Sequence, residues 1–204
     1  MNIFVLDADP GLCARWHCDT HVVSQLKEAG QIMSTAAALH GLRIDQQYET
    51  THPGHPCCLW AAESPGNFEW LFQLAWQLNI QFVERRRLRG KDPIDHASFD
   101  VAWSLRQAMR QADRAFVRPS TMTPWVQVMP DEFRLPVGNE PVSKYVGDAH
   151  PSIMAYRNMY RATKAQLKNS AGELVPAVWQ CGPPPWFNQA TPQLDDLDLF
   201  DDLF

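Results

Sequence analysis

Short signals for the start of a helix divide this chain and limit the folds open to it. Asp9-Pro10, Ser64-Pro65 and Asp92-Pro93 each pair a side chain that can accept hydrogen bonds from free helical amides with a proline. Proline suits the first helical turn because its missing N–H would be unpaired there anyway. With Pro151 as a fourth start, the chain is predicted to be mainly α, with helices over about residues 10–40, 65–89, 93–116 and 151–169.

The first helix and the residues before it differ in periodicity. Residues 2–6 alternate weakly and are rich in β-branched and aromatic side chains, which predicts a short strand, Asn2–Leu6, ending at Asp7. The helix is expected to end at Gly41, with Gly30 as a candidate bend. Six apolar residues at helical spacing are expected to face the core: Leu12, Trp16, Val23, Leu26, Met33 and Ala37.

The remaining segments are predicted to be irregular. Two X-Pro steps within residues 51–60 disfavour helix, so residues 41–63 are expected to form an ordered loop. Prolines recur through residues 119–147, which predicts a long surface segment, and the Pro-Pro-Pro-Trp-Phe run after Gly182 predicts an extended spacer. The expected architecture is a short N-terminal strand and a bundle of about four helices with long irregular loops (1–170), a Pro-rich spacer (171–193) and a disordered acidic and aromatic tail (194–204).

Composition argues against a membrane or secreted protein. The 204 residues are 45% hydrophobic, which is enough to fill a sizeable core. An apolar run of about eighteen residues and a basic, apolar leader are both missing, so we expect a cytoplasmic location. The five cysteines have no framework spacing and are expected to be free thiols.

The net charge of the chain is concentrated in its last ten residues. They contain five aspartates and no Lys or Arg, and without these aspartates 18 acids face 18 bases. The net charge of −5 therefore belongs to the tail. Because so short a segment cannot bury its own apolar side chains, we expect it to order on a basic, grooved protein partner. The candidate partner-binding residues are Asp195, Asp196, Asp198, Phe200, Asp201, Asp202 and Phe204.

Two groups of histidines could carry chemistry. His17 and His21 are one helical turn apart, about 6 Å on one face, and His52 and His55 lie in the following loop. These four could bind a divalent transition metal such as zinc or iron. They could instead transfer protons near neutral pH beside carboxylates, for which Asp7, Asp9, Asp19 and Glu28 are available, although Asp9 is expected to cap the first helix.

A third interpretation of these histidines is structural, as hydrogen-bonding groups at the edge of a core. The chain has no Gly-x-Ser-x-Gly motif, phosphate loop or dinucleotide fingerprint, so nucleotide-driven phosphate chemistry is unsupported. The candidate catalytic residues are Asp7, His17, Asp19, His21, His52 and His55, and the candidate metal ligands are the four histidines among them.

Arginines cluster in two places. One cluster ends the second predicted helix, and the other forms a stripe with i+4 spacing on the third. Such a stripe favours contact with a nucleic-acid backbone, although its arginines could equally pair with acids elsewhere on the protein. The candidate nucleic-acid-binding residues are Arg85, Arg86, Arg87, Arg106, Arg110, Arg114 and Arg118.

The tail resembles the acidic C-terminal tips of single-stranded DNA-binding proteins and phage replication proteins, which also end in aspartates and a terminal Phe. In such tips the carboxylates imitate nucleic-acid phosphates. The resemblance implies that the tail of this chain could lie across its own arginine stripe and be displaced by DNA.

Several motifs along residues 1–168 resemble a family of small tailed-bacteriophage proteins. They include Met1-Asn-Ile-Phe-Val-Leu-Asp7, His17-Cys-Asp-Thr-His21, Thr51-His-Pro-Gly-His-Pro-Cys57, Met129-Pro-Asp-Glu-Phe133 and Ala155-Tyr-Arg-Asn-Met-Tyr160. The family pattern has lysine where this chain has Thr20 and Ser24, so a Schiff-base lysine at either position is not available here. The resemblance implies a phage protein acting in the host cytoplasm.

The order of elements is also similar to phage-type pyrimidine-dimer DNA glycosylases, which have a short N-terminal segment, a long helix with His and carboxylates, and a His-Pro loop. In those enzymes the nucleophile is an α-amine exposed by removal of Met, and Asn2 is too large for efficient removal, so that step does not carry over. The leading hypothesis is a DNA-metabolism enzyme of glycosylase or base-modification type. The alternatives are an accessory or host-takeover protein that docks through its tail onto a replication, transcription or defence protein, and a structural metalloprotein.

Overall fold

Capping side chains begin the helices of this protein. The structure, a computed structural model, describes residues 1–112, 121–138, 142–145, 149–168 and 171–188. As predicted, the Asp9 carboxylate accepts a hydrogen bond from Leu12 N (2.8 Å), and Ser64 Oγ accepts one from Asn67 N (3.1 Å). The described α-helices are α1 Pro10–Trp16, α2 Asp19–Leu39, α3 Pro56–Glu63, α4 Pro65–Leu88, α5 Ala97–Gln111 and α6 Pro151–Lys164. The mainly helical fold class is confirmed.

Helix α2 is the centre of the structure. It packs against α3, α4 and α5, and α4 also contacts α1, α3 and α5. Helix α6 adds the two largest fully buried side chains, Tyr156 and Tyr160. Short 3-10 turns occur at Asp131–Phe133 and Val142–Lys144, and β1 (Gln166–Lys168) pairs with β2 (Leu174–Pro176) in an antiparallel hairpin. The expected bundle of about four helices is therefore a six-helix arrangement in the described residues.

The N-terminal segment, residues 2–6, is not the strand that its sequence predicted. Its backbone amides bond to side chains instead of to a neighbouring strand. Asn2 N donates to Glu28, Phe4 N donates to Gln25, and Leu6 N donates to the Cys13 thiol. Since side chains, mainly from α2, satisfy these amides, the segment is extended and half-buried without forming a sheet.

The first predicted helix is divided into α1 and α2. At His17 and Cys18 the backbone is extended, with ψ of 137° and 163°. The Cys18 amide donates to the Tyr160 hydroxyl at 3.0 Å, so a tertiary contact replaces a helical one. Because the chain turns here, α1 and α2 do not share one apolar face. Leu12 and Val23, expected in the core, are each 42% exposed, whereas Leu26, Met33 and Ala37 are fully buried.

Two other helix boundaries differ from their predictions. Residues 56–63, expected within a loop, form α3, and α5 begins at Ala97 instead of after Asp92-Pro93. Both helices have histidine caps: the Nδ1 atoms of His55 and His96 accept hydrogen bonds from Cys57 N and Ser98 N. His150 caps α6 in the same way, through Ser152 N.

Part of the predicted spacer packs against the helices. Trp179 Nε1 donates to the Trp16 carbonyl (2.9 Å), and Trp186, only 7% exposed, lies against the Tyr160 ring. The predicted tail, residues 194–204, lies outside the described residues. Within the described part of the chain, none of the helices combines the length and apolarity needed to cross a bilayer.

Candidate functional site

A row of polar side chains on α2 faces the N-terminal segment. His21, Gln25 and Glu28 follow one another at intervals of four and three residues, which places them on one face of the helix. We call these three residues the polar row. The row is about 10 Å long, since each helical residue adds 1.5 Å.

Glu28 ends the polar row, and backbone and side-chain donors hold it in place. Its Oε2 accepts hydrogen bonds from Asn2 N (2.5 Å) and from Gln25 Nε2 (3.4 Å). Gln25 Oε1 in turn accepts from Phe4 N at 2.9 Å. These hydrogen bonds orient the carboxylate, and the Glu28 residue as a whole is only partly buried.

The Asn2 side chain is fixed on the other side of the same segment. Its Oδ1 accepts from the Tyr156 hydroxyl (2.9 Å), and its Nδ2 donates to the Val128 carbonyl (2.7 Å). Asn2 therefore connects the polar row to α6 and to the irregular segment that contains Val128. This network holds the backbone amide that binds Glu28.

The charge of the Glu28 carboxylate influences the pKa of His55. Its pKa is lowered, first by burial, then by the positive charges of the chain's amino group and His52, and the Glu28 carboxylate opposes these effects. Because Nδ1 accepts the capping bond from Cys57 N at 3.2 Å, the proton of the neutral ring is on Nε2. His55 is partly exposed, so this N–H is available as a donor. His52 beside it is exposed and has a positive φ of 51°.

His21 begins the polar row in a more enclosed setting. Its Nδ1 lies 2.6 Å from the Tyr160 hydroxyl, and its ring meets the Phe4 ring edge-on at 5.3 Å. Burial, with the charge of Lys164 as a second cause, lowers the pKa of His21 to about 4. The ring is therefore neutral at pH 7 and suited to donate or accept one hydrogen bond rather than to carry charge.

His17 is farther from solvent than His21. It is completely buried, and its Nδ1 donates to the Cys13 carbonyl at 2.7 Å. Burial, followed by the charge of His21, lowers its pKa to about 3. Of the four predicted histidines, His55 is thus the one influenced by the Glu28 charge, whereas His17 lies beside His21 at the other end of the polar row.

Two predicted catalytic carboxylates form buried ion pairs. Asp7 pairs with Arg157 at 3.0 Å and accepts from Asp9 N. Asp19 pairs with Arg85 at 3.0 Å and with Arg89 at 2.6 Å. Among the described residues, no three His, Cys, Asp or Glu side chains converge to hold a metal ion.

The arginines predicted to bind nucleic acid differ in burial and in their pairing with carboxylates. Arg106 binds Glu69 through two nitrogens and lies 4.5 Å from the Phe72 ring, and Arg87 pairs with Glu84. Arg110 is exposed near the end of α5. Arg114 and Arg118 lie outside the described residues. Arg85 is buried, and Arg86 donates to the Asp92 carbonyl.

Sequence patterns alone did not single out the polar row. In the sequence, Glu28 is one of four carboxylates near the imidazoles, and no motif marks Gln25. The spacing of His21, Gln25 and Glu28 was a usable signal, because three polar residues on one helix face next to an apolar segment need partners when that face is covered.

A separate apolar groove lies between α2, α3 and the residues near Val126. It has a volume of about 600 Å³, and its lining includes Leu39, Leu59 and Trp60. Leu39 follows Glu28 by eleven residues, about 16 Å along the helix, so the groove is not part of the polar row.

No protein-family model matches this chain, and no curated protein or solved structure matches it either.

Proposed function

We propose that this protein is an enzyme that acts on DNA bases, of glycosylase or base-modification type, with Glu28 as its central catalytic group. The placement of Glu28 carries the proposal: its carboxylate is fixed by Asn2 N at 2.5 Å, the residue is partly exposed, and its charge acts on His55. The resemblance of residues 1–168 to phage proteins, and of their order to pyrimidine-dimer glycosylases, supports DNA as the substrate.

A fixed carboxylate suits the cleavage of the bond between a base and its sugar. As the C1′–N bond breaks, positive charge develops on C1′ and the ring oxygen, and a nearby carboxylate stabilises it. Glu28 then accepts a proton from the attacking water, whose oxygen bonds to C1′. The hydrogen bonds from Asn2 and Gln25 orient the carboxylate before substrate binds, so little reorganisation is needed.

The departing base needs a donor, and His55 can supply it. The electron pair of the broken bond goes to the base nitrogen, and a hydrogen bond to the base oxygen or nitrogen stabilises that negative charge. His55 Nε2–H is free to donate because Nδ1 is engaged as the helix cap. The buried His17 and the paired Asp7 and Asp19 support the fold around this site in the proposed mechanism.

The test measures base release from duplex oligonucleotides that carry a pyrimidine dimer, a uracil or an alkylated base. In single-turnover reactions, Glu28→Gln is expected to lower the rate by about 10²-fold or more, the usual contribution of a general base. Glu49→Gln is the matched control, since Glu49 is exposed and does not belong to the polar row. If no base is released by the wild type, or if both variants keep its rate, the proposal is wrong.

A second candidate function rests on the segregation of charge. All of the net charge of −5 belongs to residues 195–202, and the body is neutral. A docking protein that presents this segment to a basic partner would need no catalytic group. Deleting residues 194–204 and comparing the proteins captured from infected cells tests this function, and an unchanged set of partners would exclude it.

A further inference from the structure

Three arginines surround a small depression between the start of α2 and the end of α4. Its lining is Asp19, Val22, Val23, Phe82, Arg85, Arg86 and Arg89. We call it the α2–α4 depression. Three guanidinium groups and one carboxylate leave two positive charges in excess, although the body of the protein as a whole is neutral.

The carboxylate in the depression is already saturated, whereas the guanidinium groups are not. Asp19 Oδ1 accepts from Arg85 NH1 (3.0 Å) and Gln180 N (3.2 Å), and Oδ2 accepts from Arg89 NH2 (2.6 Å). Arg85 is 3% exposed, and its Nε is buried without a hydrogen-bond partner. Its terminal nitrogens donate to Asp19 and to the Arg15 and His17 carbonyls, so Arg85 adds positive charge beside the depression and leaves the free donors to Arg86 and Arg89.

The two other arginines present donors at the mouth of the depression. Arg86 lies 5.6 Å from the Phe82 ring and donates from Nε to the Asp92 carbonyl, which fixes the side chain. Within the described part of the chain its terminal nitrogens have no hydrogen-bond acceptor, so they can donate to a ligand. The Arg89 side chain is 46% exposed and uses only NH2 for Asp19. Both guanidinium groups are thus held in place by one nitrogen each, and their other nitrogens can donate to a bound anion.

The backbone adds to the positive potential. Val22 and Asp19 belong to the first turn of α2, a 21-residue helix whose N-cap residue Cys18 makes no side-chain capping bond. The partial positive charge of a helix N-terminus favours anions within its first turn. The helix end and the arginines therefore act in the same direction.

The size of the depression limits what can enter. Its volume of about 40 Å³ exceeds the roughly 10–15 Å³ that one water molecule requires, so it has room for a small group such as a phosphate oxygen. A tetrahedral anion would place one oxygen inside and leave the others at the mouth, near Arg86 and Arg89. A phosphate diester of a nucleic acid has this shape and charge, and guanidinium groups suit it.

We infer that the α2–α4 depression binds a phosphate group of the DNA backbone. The identity of the polymer rests on the proposed function, whereas the preference for a phosphate group follows from the arginines and the volume. Binding here would fix the position of the DNA on the protein without reading its sequence.

The first experiment places a competing carboxylate at the mouth without removing an arginine. Val23→Glu adds a negative charge at a lining residue that is 42% exposed, and Leu12→Glu adds the same charge at a non-lining residue that is also 42% exposed. Affinity for a labelled DNA duplex is measured by fluorescence anisotropy over a series of salt concentrations. The slope of log K against log salt is expected to fall in magnitude by about one in Val23→Glu and to stay near wild type in Leu12→Glu.

A second pair of variants removes donors. Arg89→Gln is expected to lower the slope in the same way, whereas Arg87→Gln, on the same helix but paired only with Glu84 and outside the depression, is expected to lower it less. Equal slopes within each pair would overturn the inference. Base release by the wild type would not be affected by that result, so the proposed function could still hold. Conversely, if the wild type releases no base but the slopes differ as expected, the proposed function is wrong and the phosphate site stands.

Inorganic phosphate distinguishes a polymer site from a site for the free ion. Phosphate raises the Tm of most proteins relative to chloride because it is excluded from their surface, so the change in Tm is compared between wild type and Val23→Glu at equal ionic strength. The two changes are expected to be equal, because a single diester oxygen is held in place by the rest of the DNA. A specific rise in Tm in phosphate that Val23→Glu abolishes would overturn the assignment to the DNA backbone and make free phosphate the ligand.

Discussion

Asp19 and Arg85 form an ion pair of 3.0 Å in which the side chains are only 7% and 4% exposed. The pair joins the start of α2 to the last turns of α4. Arg85 also donates to the His17 carbonyl at 2.9 Å, at the break between α1 and α2. The pair therefore stabilises the turn that ends α1, and its loss is expected to lower the free energy of unfolding of the protein.

Asp19→Asn is expected to lower the free energy of unfolding by about 3–5 kcal/mol, because removing one partner leaves a buried guanidinium uncompensated. Asp92→Asn is the control: Asp92 is exposed and contacts Arg86 through its backbone carbonyl only, so the change should stay within about 0.5 kcal/mol. Urea unfolding followed by circular dichroism measures both. Equal stability of the two variants would show that the pair contributes nothing.

Stability is expected to fall as the pH falls from about 6.5 toward 4. Burial lowers the pKa of His21 and His150 to about 4, and burial with the charge of His21 lowers that of His17 to about 3. Between these values and the ordinary pKa of 6.5 the unfolded chain binds more protons than the folded chain, so acid favours unfolding.

Each such histidine contributes a slope of up to about 1.4 kcal/mol per pH unit within that window. Above pH 7 all three rings are neutral in both states, and their contribution to stability is fully present and constant. Urea unfolding at pH 5, 6, 7 and 8 measures the dependence. A stability that is flat from pH 7 to 5 would contradict the burial of neutral imidazoles.

Local signals predicted the helix starts better than the segments between them. Asp9 and Ser64 cap helices as expected, because their short side chains reach free amides in the next turn. His55, His96 and His150 also cap helices, a role that a sequence-based search for Ser, Thr, Asp and Asn does not consider. Capping is a structural role for these histidines, and it explains their positions without a functional site.

Tertiary contacts account for the errors of prediction. The N-terminal segment has the composition of a strand, but the side chains of Gln25 and Glu28 satisfy its amides. The break at Cys18 depends on Tyr160, which is 142 residues away in the chain. For the candidate site, the sequence indicated His21 and His55. The role of Glu28 depends on its hydrogen bond to the Asn2 amide, a tertiary contact that the sequence pattern does not predict.

Gly30 lies within the continuous helix α2 at a site of close packing. A Cβ at this position would lie 3.0 Å from Tyr48 Cε2 and 3.3 Å from Ser98 Cβ. Gly30→Ala is therefore expected to cost about 1–3 kcal/mol through overpacking, although alanine favours a helix interior by about 1 kcal/mol. Gly54→Ala, where a Cβ would meet nothing within 4 Å, is the control. Chemical unfolding compares the two, and a stabilised Gly30→Ala would show that Tyr48 moves aside.

The thiols are expected to react in two classes. Cys13, Cys18, Cys57 and Cys58 are buried, and only Cys181 is partly exposed. Burial raises the pKa of Cys13 and Cys57 to about 12 and that of Cys58 to about 11, which keeps these thiols protonated and poorly nucleophilic. Under native conditions, Ellman's reagent should titrate one thiol rapidly, and the other four should react only as fast as the protein unfolds.

The Cys181→Ser variant separates the two classes. It should lose the rapid phase and keep the slow one, and adding urea should make the slow phase fast in both proteins. Because Cys13 contacts Phe4 and Leu6 through its sulfur, early reaction of Cys13 would mean that the N-terminal segment leaves its place beside α2 without global unfolding. The difference between the rate for Cys13 and the rate of global unfolding thus measures how firmly the backbone that binds Glu28 is held.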